Sequence, residues 1–203
     1  MGEPNTPEVK IRPAGEADIP GMQELFNLTY GDRYSHPEFV AQAYIRKMIY
    51  SDDSLVLVAE DSDGDVIATA SVVIDVGAYA DLIGEFGRLV VHPEKRGRQI
   101  GHRLMTERIK RVAPYIHVGF ADNRVAHTRS QQISLAHGFA PIGFLPIHNG
   151  EPVALFVRHF GDGLKLRKNN PRVAPQVFGL AQRALRSCGI EPDSIVDEMS
   201  PPY

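Results

Sequence analysis

The sequence has 203 residues, of which 43% are hydrophobic and 23% are charged, and its formal net charge is −3. These values are typical of one globular domain, and the negative balance excludes the basic footprint of a nucleic-acid-binding protein. The single cysteine, Cys188, excludes an internal disulfide framework and fits a reducing compartment.

Membrane and metal-binding classes are also disfavoured by the sequence. No apolar run approaches the length of a membrane span, and the first ten residues carry no hydrophobic signal region. The eight histidines lack the close spacing of metal ligands. We therefore expect a cytoplasmic protein that binds no membrane and no metal.

The first third of the chain predicts a short strand, two helices and a hairpin. Asp18 is the expected N-cap of the first helix, with Pro20 in its first turn. A second helix is expected from residues 35–37 onward, since Val40, Tyr44 and Met48 recur every four residues. The predicted strands at this stage are residues 9–12, 55–59 and 66–74.

The middle of the chain alternates strands with helices. A loop over residues 75–82 is followed by a strand and a helix, and then by a shorter strand and a second helix. The predicted strands are residues 84–91, 116–120 and 152–159, and the predicted helices are residues 101–113 and 128–137.

The C-terminal part differs in character. Residues 161–170 form a polar, basic linker, and Val177, Ala181, Ala184 and Cys188 then recur at helical spacing. We expect residues 1–160 to form one domain and residues 161–203 to pack on it as a linker, a helix and an acidic tail. Covering a homodimer seam or closing over a substrate entrance are the alternatives for this helix.

The segment from Leu89 to Met105 carries the strongest functional signal. A valine-rich strand ends at His92-Pro93, a basic turn containing glycine follows, and an amphipathic helix begins. The first turn of a helix has unpaired N–H groups and favours negative charge, and Arg96 and Arg98 add charged donors there. The pattern favours a phosphorylated ligand, with an ordinary basic loop as the alternative.

The pattern Val91-x-Pro93-x-x-Arg96-Gly97-x-x-x-Gly101 resembles the acyl-CoA-binding core of the GNAT superfamily of N-acyltransferases. The resemblance spans residues 9–160 and implies an α/β (α+β) fold: a mixed, mostly antiparallel sheet flanked by helices and splayed at the acyl-CoA site, here with a C-terminal helical extension. One departure is Gln99, which stands at the first signature glycine; positive φ there would cost on the order of 1 kcal/mol. The CoA-binding residues that the resemblance implies are Leu89, Val90, Val91, Arg96, Gly97, Arg98, Gln99, Ile100, Gly101, His102 and His127.

The resemblance also implies a general base. Several GNAT enzymes use a glutamate six residues before the valine of Val-x-Pro, which is Glu85 here. In a regular strand Glu85, Gly87, Leu89 and Val91 would share one face. The alternative is that Glu85 pairs with Arg88 or points to solvent.

A tyrosine that protonates the leaving thiolate in many GNAT enzymes is missing. In those enzymes the tyrosine lies four residues before the glycine of a Gly-Phe pair, and an asparagine often lies eleven residues before it. The pair here is Gly138-Phe139, so the corresponding residues are Ser134 and His127. A serine hydroxyl is a poor acid, so Ser134 is at most an auxiliary catalytic group. His127 is a candidate CoA contact, or a cap or surface residue.

The acceptor is not named by the sequence. Tyr30 and Tyr34 lie where GNAT enzymes build much of the acceptor pocket, and we interpret them as substrate-binding candidates. The first hypothesis is an N-acyltransferase that moves an acetyl group from acetyl-CoA to a primary amine of a small molecule. The second is a module that binds acyl-CoA without turnover. A peptide amine as acceptor and a longer or carrier-linked acyl group also stay open.

Overall fold

The computed structural model describes residues 9–31, 37–76, 82–148, 150–166 and 175–191. These residues fall into two compact units, divided between Ile116 and His117. The boundary predicted near residue 160 stays a prediction.

The first unit contains an antiparallel four-stranded sheet and three helices. The strands pair in the order β1-β2-β3-β4. Their bounds are β1 Lys10–Pro13, β2 Ser54–Glu60, β3 Val66–Val76 and β4 Ile83–Val91. The helices are α1 Ile19–Tyr30, α2 Gln42–Ile49 and α3 Ile100–Val112.

Both faces of this sheet are covered, which explains the nearly continuous hydrophobic runs of β2 and β3. Leu57 and Ala68 face α3 and pack against its Ile100 and Leu104. The alternate residues face α1 and α2, as seen in the cluster of Ile19, Met22, Ile45, Val56 and Val58. Buried apolar side chains on both faces stabilise the sheet.

The side chain of Asp18, the predicted N-cap of α1, binds Arg12 and does not cap the helix. Asp18 occupies the N-cap position but makes no side-chain cap hydrogen bond. Its carboxylate instead accepts two hydrogen bonds from Arg12, at 2.7 and 2.8 Å, and one from the Gly15 amide at 2.7 Å. The hydrogen bond from Arg12 lowers the pKa of Asp18. This arrangement fixes the turn between β1 and α1.

The helix expected from residues 35–37 begins later. Pro37–Val40 form a 3-10 turn and α2 begins at Gln42, while Ser35 and His36 lie outside the described residues. Val40 therefore belongs to the turn, but it still packs with Tyr44 and Met48 in one cluster.

The second unit contains three antiparallel strands in the order β5-β7-β6 and two helices. The strands are β5 Val118–Arg124, β6 Ala140–His148 and β7 Glu151–His159, and the helices are α4 Thr128–Ala136 and α5 Pro175–Ser187. The strand predicted at residues 116–120 is shifted toward the C-terminus by two to four residues. Helix α5 packs against β6.

Strand β6 was missed by the sequence interpretation. It contains Pro141, Gly143 and Pro146, which disrupt the usual signals of a strand. It pairs with β7 alone among the strands described in this unit, as expected for a strand with proline. Its outward residues Phe144 and Ile147 are exposed. Within the described ranges, no helix is both long and apolar enough to cross a membrane.

Candidate active site

The turn between β4 and α3 is a basic loop that ends at a helix N-terminus. Pro93–Lys95 form one 3-10 turn, and Arg96, Gly97, Arg98 and Gln99 are all exposed. Helix α3 then runs for 13 residues. The first amides of such a helix have no partner within the helix, so they are available to an anion beside the two arginines.

Two residues of this loop adopt left-handed backbone conformations. Gly97 has φ 84°, and Gln99, the N-cap residue of α3, has φ 56° and ψ 16°. The turn therefore uses at Gln99 the geometry in which a glutamine is disfavoured. This is the position where the GNAT signature has glycine.

The loop is held at its base by contacts that sequence reasoning missed. Lys95 Nζ lies 2.9 Å from Asp61 Oδ2, and this partner lowers the pKa of Asp61. Arg96 Nε donates to the Val91 carbonyl at 3.2 Å, and the Glu94 amide donates to His92 Nδ1 at 3.3 Å. No local motif announces the pair with Asp61, because it joins residues 34 positions apart.

The other predicted CoA-binding residues divide into buried and accessible side chains. Val90, Ile100 and Gly101 are buried, whereas His102 is half-buried. Leu89 and Val91 pack partly buried against the cluster under α3. A ligand at this edge would meet the buried residues through their backbone groups. The exposed loop and the helix start have the charge and the free amides that suit an anionic group.

Strand β4 is irregular, and this changes where Glu85 points. Thr69 pairs with Val90 and Ser71 with Gly87, so Ala70 of β3 lies opposite two residues of β4. The extra residue is Arg88, whose φ is 55°. This is a β-bulge, and it reverses the alternation of side chains beyond it.

The prediction that Glu85, Gly87, Leu89 and Val91 share one face is therefore wrong. Leu89 and Val91 pack toward α3, but Phe86 also lies on that side, where it contacts Arg108. Glu85 is thus on the opposite face, with Val90, which packs against α1. Gly87 shares the face of Glu85, since an added Cβ would lie 3.0 Å from Glu85 Oε1.

Glu85 is paired with the bulge residue. Its Oε1 lies 2.9 Å from Arg88 Nη1, and its side chain is 27% exposed. Arg88 Nε donates to Ser71 Oγ at 2.6 Å, and the guanidinium lies 4.9 Å from the centre of the Phe39 ring. The pairing that was the alternative for Glu85 is thus observed, and it leaves the carboxylate partly accessible.

A second arginine supports the bulge from the α3 side. Arg108 is 1% exposed, and its Nη1 donates to the carbonyls of Ser71 at 3.0 Å and Gly87 at 3.1 Å. Burial, together with the charge of Arg88, lowers the pKa of Arg108 to about 9, so it is protonated at neutral pH. No role was assigned to Arg108 from the sequence.

The two candidates of the second unit have different settings. Ser134 is 1% exposed, and its Oγ accepts a hydrogen bond from Asn123 at 2.9 Å. His127 is exposed at the N-cap position of α4, where its carbonyl accepts from the Ser130 amide and hydroxyl. Its side chain makes no cap hydrogen bond.

Of the two substrate-binding candidates, Tyr30 lies at the end of α1 and packs in the cluster that contains Phe39 and Val90. It is thus on the face of the sheet where Glu85 lies. Tyr34 is outside the described residues. Among the side chains that the structure does describe, no group of three or more His, Cys, Asp or Glu residues could hold a metal ion.

The segment that contains the loop between β4 and α3 matches a model of a known protein family. Residues 52–141 match a family model described as an acetyltransferase (GNAT) domain. No curated protein matches the sequence.

Solved structures match over most of the chain at low identity. A GNAT superfamily phosphinothricin acetyltransferase from Sinorhizobium meliloti, in complex with AcCoA, is 24% identical with a TM-score of 0.67, and the match covers 82% of this chain and 96% of that one. A ribosomal-protein-alanine N-acetyltransferase from Brucella melitensis is 22% identical (TM-score 0.65; 74% and 99% covered). The spermidine/spermine N-acetyltransferase SpeG from Vibrio cholerae is 16% identical (TM-score 0.59; 79% and 100% covered).

These similarities confirm the predicted fold class, with its mostly antiparallel sheet flanked by helices. They do not select an acceptor, because the named relatives differ in what their names say they acetylate, and fold alone does not define a substrate.

Proposed function

We propose that this protein, whose residues 52–141 match a family model described as an acetyltransferase (GNAT) domain, transfers the acetyl group of acetyl-CoA to a primary amine of a small molecule. The observation that carries the proposal is the exposed Arg96–Gln99 loop at the N-terminus of α3, inside the matched segment. Its charge and free amides suit a pyrophosphate.

CoA binding is assigned to the loop and the strand before it. The amides from Arg96 to Gly101 would hold the pyrophosphate, with the Arg96 and Arg98 side chains beside it. The pantetheine arm would run along Leu89 to Val91, where Pro93 ends the strand. His102 and His127 remain candidate contacts to the rest of CoA.

Glu85 is assigned as the general base. The amine must lose a proton as its nitrogen attacks the thioester carbonyl, and a partly exposed carboxylate can accept that proton directly or through water. A C–N bond forms and the C–S bond breaks, so the products are an N-acetyl amine and the free thiol of CoA. The ion pair with Arg88 fixes the orientation of Glu85.

We assign the stabilisation of the developing oxyanion to the bulge in β4. A β-bulge takes backbone groups out of the regular ladder, and amide N–H groups freed in this way stabilise negative charge on oxygen. Arg88 and Leu89 are the two residues opposite Ala70. Their amides are the candidates for this role.

The leaving thiolate has no tyrosine to protonate it in this assignment. Ser134 is retained only as an auxiliary hydrogen-bond donor, since it is buried and already accepts from Asn123. Thiolates of this kind are stable enough to leave and take their proton from solvent.

A second candidate function is an acyl-CoA-binding module without turnover. Gln99 in the strained position and the serine in place of tyrosine favour it. The accessible Glu85 favours catalysis.

One experiment distinguishes the two candidate functions. Acetyl-CoA binding is measured by calorimetry, and thiol release is followed over a panel of small amines. An acetyltransferase binds acetyl-CoA and releases thiol only when an acceptor is present. Tight binding, with CoA retained through purification and no thiol release from any amine, would support the non-catalytic module.

A further inference from the structure

The bulge in β4 places a nearly buried arginine on the same face as the proposed base. Arg88 is 10% exposed and adopts φ 55°, a conformation that is unfavourable for a non-glycine residue. Such strain persists where the surroundings enforce it, and it is concentrated at functional sites. The position of Arg88 therefore requires an explanation beyond sheet formation.

The guanidinium of Arg88 is held from three directions. Ser71 Oγ accepts from Nε, Glu85 Oε1 accepts from Nη1, and the Phe39 ring lies beneath the plane at 4.9 Å. These contacts fix the planar group but use only two of its three nitrogens. Within the part of the chain that the structure describes, Nη2 makes no hydrogen bond, so it can contact a ligand together with the second hydrogen of Nη1.

The charges around the bulge do not balance. Arg88 and Arg108 approach it from opposite faces of the sheet, and the charge of Arg88 is one cause of the lowered pKa of Arg108. Within the described ranges, Glu85 is the carboxylate paired with this arginine couple. Two guanidinium groups and one carboxylate leave an excess positive charge in a poorly solvated place, which an anion would stabilise.

The anion must fit beside Glu85. An arginine held in plane binds a carboxylate through two parallel hydrogen bonds. Because Glu85 and Arg88 are in contact at 2.9 Å, an amine directed at Glu85 and an acid directed at Arg88 must be close together in the ligand. The phosphates of CoA are assigned elsewhere, on the Arg96–Gly101 loop.

We propose that Arg88 binds a carboxylate of the acceptor, so that the acceptor is an amino acid whose amine and carboxylate are separated by one or two carbons. The inference rests on the proposed function, because it takes Glu85 as the group next to the reacting amine. It gives Arg88 the role of a specificity-determining residue.

Matched acceptors test this directly. Several L-α-amino acids are compared with their carboxamides and with their decarboxylated amines, which keep the amine and remove the acid. We expect kcat/KM to favour the free acids by about 100-fold or more. In Arg88→Met this ratio should fall to near 1, mainly through KM of the acids, and Arg88→Lys should be intermediate because it keeps the charge without the fork. Unchanged acetyl-CoA affinity shows that each variant is folded.

Arg46→Met is the matched control. Arg46 also pairs with a glutamate, Glu16, at 2.7 Å, but on the exposed surface. Its variant should keep the acid-to-amide ratio of the unmodified protein. A wild-type preference for amides or decarboxylated amines, or an undiminished ratio in Arg88→Met, overturns the proposal.

Failure of the proposed function gives a different result. If no acceptor is turned over, binding of the same amino acids to the CoA-bound protein is measured by calorimetry. Binding of the acids but not the amides, lost in Arg88→Met, supports the carboxylate site even without catalysis. No binding of the acids overturns it.

Discussion

The backbone of Gln99 is strained within the loop that we propose binds CoA. Its left-handed φ of 56° occurs at the N-cap position, in the turn that starts α3. The side chain is exposed and makes no cap hydrogen bond. Nothing described in the structure therefore compensates the strain.

Gln99→Gly should relieve that strain. We expect the free energy of unfolding to rise by up to about 1 kcal/mol, since glycine adopts positive φ readily and the gain exceeds its larger entropy in the unfolded chain. Gln99→Ala, which keeps the Cβ, should give no gain. Urea unfolding of the two variants measures the difference, and a glycine variant less stable than the alanine one contradicts the interpretation.

Among elements, the junction of β1 and α1 depends on one carboxylate. Asp18 is buried and is bound by Arg12 and the Gly15 amide. Its pKa is lowered in the folded state, so its contribution to stability is full above the ordinary aspartate pKa of about 4 and is lost as the pH falls through the folded value.

Asp18→Asn should therefore lower the free energy of unfolding at pH 7 by about 1–3 kcal/mol, because the charged hydrogen bonds to Arg12 are lost. The difference in the free energy of unfolding between Asp18→Asn and the unmodified protein should narrow as the pH falls below about 4. Asp162→Asn removes an exposed ion pair with Lys165 and should change stability by less than about 0.5 kcal/mol. Urea unfolding at pH 7 and below pH 4 tests both expectations, and a pH-independent gap would be inconsistent with the ion pair.

Helix α3 offers a test of the ligand assigned to its N-terminus. Arg98→Gln removes one exposed charge from the loop and should weaken acetyl-CoA binding by about 3- to 10-fold, with a smaller salt dependence. Arg111→Gln removes the same charge about 18 Å further along the helix, and should have no effect. Calorimetric titration measures the acetyl-CoA affinity of both variants, and equal effects of the two substitutions would argue against the loop as the binding site.

Gly101→Leu should abolish acetyl-CoA binding, because its side chain would occupy the path of the phosphates. Unchanged acetyl-CoA affinity in a folded Gly101→Leu protein would contradict this assignment.

The elements also show what sequence patterns can predict. Strands with alternating or continuous apolar residues were predicted with boundaries within a few residues of the observed ones. Burial on one or two faces produces an apolar pattern in the strand's own residues. Strand β6 was missed because prolines are tolerated in a strand at the edge of a sheet. Whether a strand lies at an edge depends on the order of the strands and not on its own residues. The bulge at Arg88 was missed because it depends on the register of two strands, which no local pattern records.

For the whole molecule, the loop of the candidate site could be predicted and its chemistry only in part. Arg96, Gly97 and Gly101 lie in one contiguous motif, so sequence alone located them. The cluster of Glu85, Arg88 and Arg108 joins two elements through a bulge, and it required the structure. The acceptor that we propose is inferred from that cluster and not from the motif.

The most direct test of the account is the turnover number of Glu85→Gln. The substitution keeps the shape of the side chain and removes its basicity. With any acceptor that the unmodified protein acetylates, kcat should fall by about 10²- to 10⁴-fold while the affinity for acetyl-CoA is kept. Ser134→Ala, the auxiliary position, should lower kcat by less than about tenfold. A Glu85→Gln protein that stays fully active would contradict the account, since the base would then lie elsewhere or the amine would arrive already deprotonated.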